Sequence, residues 1–308
     1  MNANTENQKN QVRDYWNAQS CGTEISAAAK FSKAYFQDVE AFRYFDQPFI
    51  HSFAQFSRYH GKQVLEVGVG AGTDFIQWLR CGAKVSGVDL TPEAVAHAQH
   101  RIELYQLPQP ETVAVADAEH LPFESNSFDL GYSFGVLHHT PNTERAVAEL
   151  ARVVRPGGEI KIMLYNRRSV FVFNRWIKYA LLRGRPWKSL RWILWNHVEN
   201  VGTKGYSRKE LLRMLQSLPL TGIHVHTELT SGDYLSASAA PPLNWLYQFC
   251  LKAAANRCGW RPDHYVARVN EDVQDGGPMQ RVSQERPEPL FTGNSFGFFH
   301  CITARKQV

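Results

Sequence analysis

A chain of 308 residues with 44% hydrophobic content holds one large domain or two small ones, and no run approaches the ~20 apolar residues of a membrane span. Its five cysteines (Cys21, Cys81, Cys250, Cys258 and Cys301) are scattered without a C-x-x-C pair, which argues against a disulfide framework and a zinc site; no metal ligands are expected. The net charge of +5 is unevenly placed: residues 160–198 carry nine basic side chains and no Asp or Glu, so the remainder is acidic on balance.

Residues 1–10 are polar, are expected to be disordered and lack the apolar core of a signal peptide, so the expected setting is reducing and cytoplasmic. Between 11 and 56 aromatics abound, and Phe42, Phe45, Phe49, Phe53 and Phe56 fall on one helical stripe, mostly core. Residues 1–56 therefore read as an N-terminal helical cap. Val64, Leu65 and Val67 then mark a short buried strand, followed by Gly68, Gly70 and Gly72 and a helix over 74–80. A strand that turns into a helix through glycines lets a ligand approach the main chain. The dinucleotide fingerprint G-x-G-x-x-G is not met, because Thr73 stands where its third glycine would fall.

Gly82 closes the helix, residues 84–88 read as the second strand, and Asp89 sits at its end. A carboxylate there, 17 residues after Gly72, can accept hydrogen bonds from both ribose hydroxyls of a nucleoside. The competing role, a helix N-cap, is filled by Thr91 with Pro92 in the first turn. A helix over 92–107 leads to a third strand over 112–116, ending in Asp117-Ala118-Glu119. Residues 128–134 are the fourth strand, 143–154 a helix and 159–165 the fifth strand. Later come a capping box at Ser207 and Glu210, a strand over 220–228 and a last strand over 296–304. The 230–294 connection is too long for a turn; 243–255 reads as helix and 269–289 as a polar, mobile loop.

Alternating strands and helices imply a doubly wound α/β sheet with ligands outside the carboxyl ends of the strands. The E-x-G-x-G-x-G loop resembles motif I of class I S-adenosylmethionine-dependent methyltransferases, and "SFDLGYSFGVLHHTPN" to "ELARVVRPGGEI" resembles the type-11 methyltransferase core. The resemblance covers about 60–166 and implies a Rossmann-like, seven-stranded domain over 57–308. Its cofactor half would be 57–166, and 167–308 would be a substrate-side elaboration carrying the last strands. It implies S-adenosylmethionine as cofactor and S-adenosylhomocysteine as product. Cofactor contacts would come from Glu66, Gly68, Gly70, Gly72 and Thr73 in the loop, Asp89 and Leu90 after the second strand, and Asp117, Ala118 and Glu119 after the third. Asp117 would meet the adenine amino group, with Leu121-Pro122-Phe123 as an apolar wall; a surface turn is the rival reading. Ser133 and Phe134 would contribute from the fourth strand, and Tyr15 and Trp16 resemble lid residues of small-molecule methyltransferases.

Methyl transfer from a sulfonium needs alignment above all, which proximity supplies at roughly 7–11 kcal/mol. A hydroxyl acceptor also loses a proton, and His138 and His139, just past the fourth strand, are the candidate bases; the alternative is that they only shape the pocket. Tyr165, Asn166, His197 and Glu199 are further substrate-side candidates. No (N/D/S)-P-P-(Y/F) motif follows the fourth strand and no Pro-Cys pair occurs, which argues against nucleic-acid bases as substrates. A small-molecule oxygen acceptor is expected. The stretch 169–195 offers another reading. On a helix, Arg168, Arg175 and Lys178 lie opposite Val170, Phe173, Ile177 and Leu181, a pattern suited to a membrane interface and a lipid or quinone-like acceptor. The segment can also attract an anion or simply cover the substrate side. A protein that binds the cofactor without transferring its methyl group is the reading from another class.

Overall fold

The computed structural model describes residues 3–229 and 297–308. Strand β1 (Gln63–Val67) has parallel neighbours on both sides, which is why its apolar residues can all be buried. Beside it run β2 (Lys84–Asp89) and then β3 (Thr112–Val115) on one flank, and β4 (Phe128–Phe134) and then β5 (Val154–Tyr165) on the other. Beyond β5 the last strand, β7 (Phe299–Lys306), inserts antiparallel, and β6 (Leu220–Glu228) pairs with it at the edge. The order β3-β2-β1-β4-β5-β7-β6 is a seven-stranded, doubly wound sheet whose strand order switches sides between the parallel neighbours β1 and β4.

Alternate residues feed two cores. Val64, Leu130, Tyr132 and Tyr165 face α4 (Thr73–Arg80), α5 (Pro92–Leu104) and the N-terminal cap. Leu65, Val67, Ile160 and Ile162 face α6 (Thr143–Val153) and α9 (Arg208–Gln216). The caps are as the sequence predicts. Thr91 Oγ1 accepts from Ala94 N at 3.2 Å, and Ser207 with Glu210 forms a complete capping box.

The β1–α4 turn needs its glycines. Gly68, Gly70 and Gly72 all have left-handed backbones, with φ of 87°, 50° and 73°. A Cβ on Gly68 would overlap the Val136 side chain, and one on Gly72 would come 3.1 Å from Ala98 Cα in α5; at Gly70 the space is open.

Several boundaries differ from expectation. Residues 3–10 are not disordered: they belong to α1 (Ala3–Ala18), on which Lys9 and Val12 are buried. The aromatic stripe is not one helix. It divides into α2 (Lys33–Asp46) and α3 (Ile50–Ala54), because Pro48 cannot continue the first, and Phe45 is left about half exposed. β5 begins at Val154, earlier than the expected 159. The basic segment is two short helices, α7 (Val170–Tyr179) and α8 (Leu190–His197), with Gly184 in a left-handed turn between them. On α7 the buried residue is Val172, and Phe173 and Leu181 are exposed, so the expected apolar face is corrected. The helix expected over 243–255, the loop expected over 269–289, and Cys250 and Cys258 lie outside the described residues.

His300 on β7 is buried between Thr227 Oγ1 (3.3 Å) and the Tyr206 carbonyl (3.2 Å), and burial pushes its pKa from 6.5 down to about 4. The unfolded chain therefore binds a proton before the folded one. Stability should be full above pH 6.5 and fall by about 3 kcal/mol towards pH 4 from this group. Thermal unfolding across that range should show a shallower loss for His300→Gln. In the same assay Gly68→Ala should cost more than Gly70→Ala, by roughly 1–3 kcal/mol, because only the former adds a clash to the backbone strain. Equal losses would sink the steric reading of the loop.

Candidate active site

A cavity of about 390 Å³ opens at the carboxyl ends of β1, β2 and β4, where the strand order switches sides. The glycine loop, Glu66, Asp89, Leu90, Asp117, Ala118 and Phe134 line one end. His139, Tyr165, Glu199, Phe298 and Phe299 line the other, and α1 lies across it with Lys9, Val12 and Trp16.

Under the loop, Asp74 at the start of α4 is buried and collects Arg43 Nη2 (2.7 Å), Tyr132 Oη (3.0 Å) and Tyr44 Oη (3.2 Å). Glu66 accepts Trp78 Nε1 at 2.8 Å, and burial together with nearby Asp74 pushes its carboxyl well above the usual range. Thr73 accepts Arg101 Nη2 at 3.0 Å. Asp89 accepts Gly70 N at 3.1 Å through one oxygen and both Thr91 N (3.0 Å) and Thr91 Oγ1 (2.9 Å) through the other. Burial raises its pKa and these donors oppose the rise. The acid thus ties the glycine loop to the start of α5 while still facing the cavity.

After β3, Asp117 and Glu119 converge on Lys9 of α1, at 2.5 and 3.0 Å from its ammonium. Burial opposes ionisation of Asp117, but the hydrogen bonds from Lys9, Glu119 N and His120, with the Lys9 charge, together outweigh it and hold the carboxyl below its usual range. Glu119 also accepts Asn142 N at 2.7 Å and faces this latch rather than the cavity. Ser133 donates to the Val67 carbonyl at 2.8 Å, inside the sheet. The expected wall Leu121-Pro122-Phe123 is corrected: Leu121 belongs to the core and Phe123 packs edge-on against Phe128.

The two histidines part ways. His138 is fully buried, stacks on Tyr165 with centroids 3.8 Å apart and does not line the cavity. Burial pushes its pKa well below the usual value, so it is held neutral. His139 lines the cavity edge-on to Trp16, with Nδ1 3.2 Å from Thr203 Oγ1 and Nε2 3.2 Å from Glu199 Oε2. Glu199, on a left-handed backbone with φ of 54°, also accepts Tyr165 Oη at 2.8 Å. A non-glycine residue costs about 1–2 kcal/mol in that conformation, and strain of this kind gathers at functional sites. Tyr15 is about half exposed and supports Trp16 from outside the cavity. Asn166 and His197 also lie off its wall. Lys9, Arg43 and Thr203 escaped the sequence reading, since each acts through a partner far away in the chain.

Residues 65–162 match the family model of the methyltransferase domain. The phthiotriol/phenolphthiotriol dimycocerosates methyltransferase of Mycobacterium leprae is 39% identical over 102 residues, 32% of this chain and 36% of that protein. The demethylmenaquinone methyltransferase of Thermobifida fusca is 33% identical over 131 residues, 42% of this chain and 54% of the relative. The chain thus spans only about a third to a half of these relatives. The Haemonchus contortus phosphoethanolamine N-methyltransferase 2, solved with phosphomonomethylethanolamine and S-adenosylhomocysteine, superposes with a TM-score of 0.52 at 16% identity, over 96% of this chain and 61% of that one. Motif loop and strand order agree with the class I S-adenosylmethionine-dependent methyltransferase fold, and residues 65–162 are the part of the chain that matches the methyltransferase domain.

Proposed function

We propose that this chain transfers the methyl group of S-adenosylmethionine to an oxygen of a small-molecule acceptor. The observation that carries the reading is one cavity joining the glycine loop, Asp89 and Asp117 to the His139–Glu199–Tyr165 cluster. The loop takes the methionine end of the cofactor and Asp89 the ribose hydroxyls. Asp117 keeps lone pairs for the adenine amino group beside its bonds to Lys9 and Glu119 N. Trp16 closes the lid. In the transfer the sulfonium S–C bond breaks as the O–C bond forms, the sulfur keeps the electron pair, and the hydroxyl proton leaves through the His139–Glu199 end to water. His138 has no route to that proton, so His139 is the histidine that serves the reaction.

A second reading keeps the chemistry and changes the source of the acceptor. Phe173, Leu182, Trp187 and Trp195 are exposed on the α7–α8 segment among unpaired-sign cations such as Arg168, Lys178 and Arg185, and Phe171 of α7 reaches the cavity wall. An aromatic, basic surface beside the cavity, in which Glu210 pairs only with Arg167 and Arg191 among these cations, suits a lipid or quinone-like acceptor drawn from an anionic bilayer. Among the described residues no helix is long and apolar enough to cross a membrane.

Calorimetry should find S-adenosylmethionine bound by the wild type and weakened roughly 30- to 150-fold by Asp89→Ala, the loss of two hydrogen bonds of about 1–1.5 kcal/mol each. No wild-type binding would sink the reading. With an acceptor in hand, His139→Gln should slow formation of S-adenosylhomocysteine by roughly 10²–10⁴-fold at unchanged cofactor affinity, whereas binding without any turnover would leave a cofactor-binding protein. For the second reading, flotation should bring the protein up with anionic but not zwitterionic vesicles, less so in high salt, and Trp187→Ser with Leu182→Ser should abolish the difference. No flotation at low salt would remove the bilayer as the acceptor's source.

A further inference from the structure

The cluster at the acceptor end contains an anomaly that proton transfer does not explain. Both ring nitrogens of fully buried His138 lack a hydrogen-bond partner among the described residues. A buried polar group left unmet costs about 1–3 kcal/mol, and an absent ion or water is the usual reason for one. His139 repeats the pattern. Thr203 has one hydroxyl proton and gives it to the Asn200 carbonyl at 2.8 Å, so its oxygen accepts from His139 Nδ1. Nε2 is then free to present its lone pair. It lies 3.2 Å from Glu199 Oε2, yet the two are not aligned as donor and acceptor. Two ligands each about 2.0–2.1 Å from a tetrahedral ion stand roughly 3.3–3.4 Å apart, with the ion off the line joining them. The available nitrogen and oxygen atoms of His138, His139 and Glu199 all lie within 4.8 Å of one another.

We propose that His138, His139 and Glu199 hold a divalent transition-metal ion of zinc's kind, with an open position towards the cavity. Two imidazoles and one carboxylate suit zinc and its neighbours better than magnesium or calcium, which prefer oxygen. Thr203 fixes the His139 tautomer from behind, as outer partners of metal ligands do. The glutamate, about a quarter exposed at its side chain, is the ligand nearest to solvent. The inference deepens the acceptor-end reading given above and rests on it only for the use of the ion; with Nε2 on the ion, His139 serves as a ligand and not as the proton acceptor, and the acceptor's proton leaves directly to water. The open position would take the acceptor oxygen and lower the cost of its deprotonation.

The test strips the full-length protein with a chelator, then titrates zinc by calorimetry and cobalt by visible absorption, with S-adenosylmethionine binding measured on the same samples. One ion per chain is expected, with a cobalt spectrum of low coordination number. Glu199→Gln and His139→Gln should each weaken zinc at least roughly tenfold, and Thr203→Val, which removes the partner of the His139 ring and no ligand of the ion, by about 10–100-fold. No zinc binding by the wild type, or binding that none of the three variants weakens, overturns the proposal. If cofactor binding persists in that case, the metal site alone has failed. If it is absent too, the cofactor reading has failed with it.

Discussion

The buried carboxylate of Asp74 is the constraint on which the cofactor end depends. A charge taken out of water is tolerated only when donors surround it, and here Arg43, Tyr44 and Tyr132 all point at its two oxygens. Those donors come from α2 and β4, so one acid fixes the N-terminal cap, the start of α4 and the central sheet to one another. Arg43 in turn spreads its guanidinium 4.8 Å over the Phe134 ring at the cavity wall. The glycine loop is strained backbone suspended between β1 and this anchor, which is why it can hold three left-handed residues in five.

The same economy of charge governs the end of the cavity after β3. Asp117 and Glu119 would repel each other after β3, and Lys9 arrives from more than a hundred residues away to neutralise both. The helix that carries Lys9 also carries Trp16, which packs against His139 at the opposite end of the cavity. A single helix therefore spans both halves of the site, and its seating depends on ion pairs at one end and aromatic contact at the other.

What was legible in the sequence is what depends on near neighbours. Val64, Leu65 and Val67 announce a strand by composition, the glycines by their spacing, and Thr91, Ser207 and Glu210 by capping chemistry that spans three residues. Asp89 could be placed because the βαβ unit fixes the distance from loop to strand end. Residues 1–10 could not be read. The helix that begins at Ala3 has little local reason to form and is held by Lys9 and Val12 meeting the body of the protein. The histidine pair shows the same limit at finer scale. Adjacent residues in one turn share every sequence signal, yet one ring stacks beneath Tyr165 and the other faces the cavity. Only the tertiary setting separates them.

The insertion of β7 between β5 and β6 has a consequence for how the protein is made. On a ribosome β2 to β5 can pair as they emerge, since each finds a neighbour already present. β6 has none: its partner, 299–306, is synthesised some seventy residues later. Until then β6 presents an open edge, and the cavity lacks the wall formed by Phe298 and Phe299. The nascent chain thus passes through a stage with its glycine loop in place and the far side of the cavity open, and the last strand to pair is also the one that brings in the closing wall.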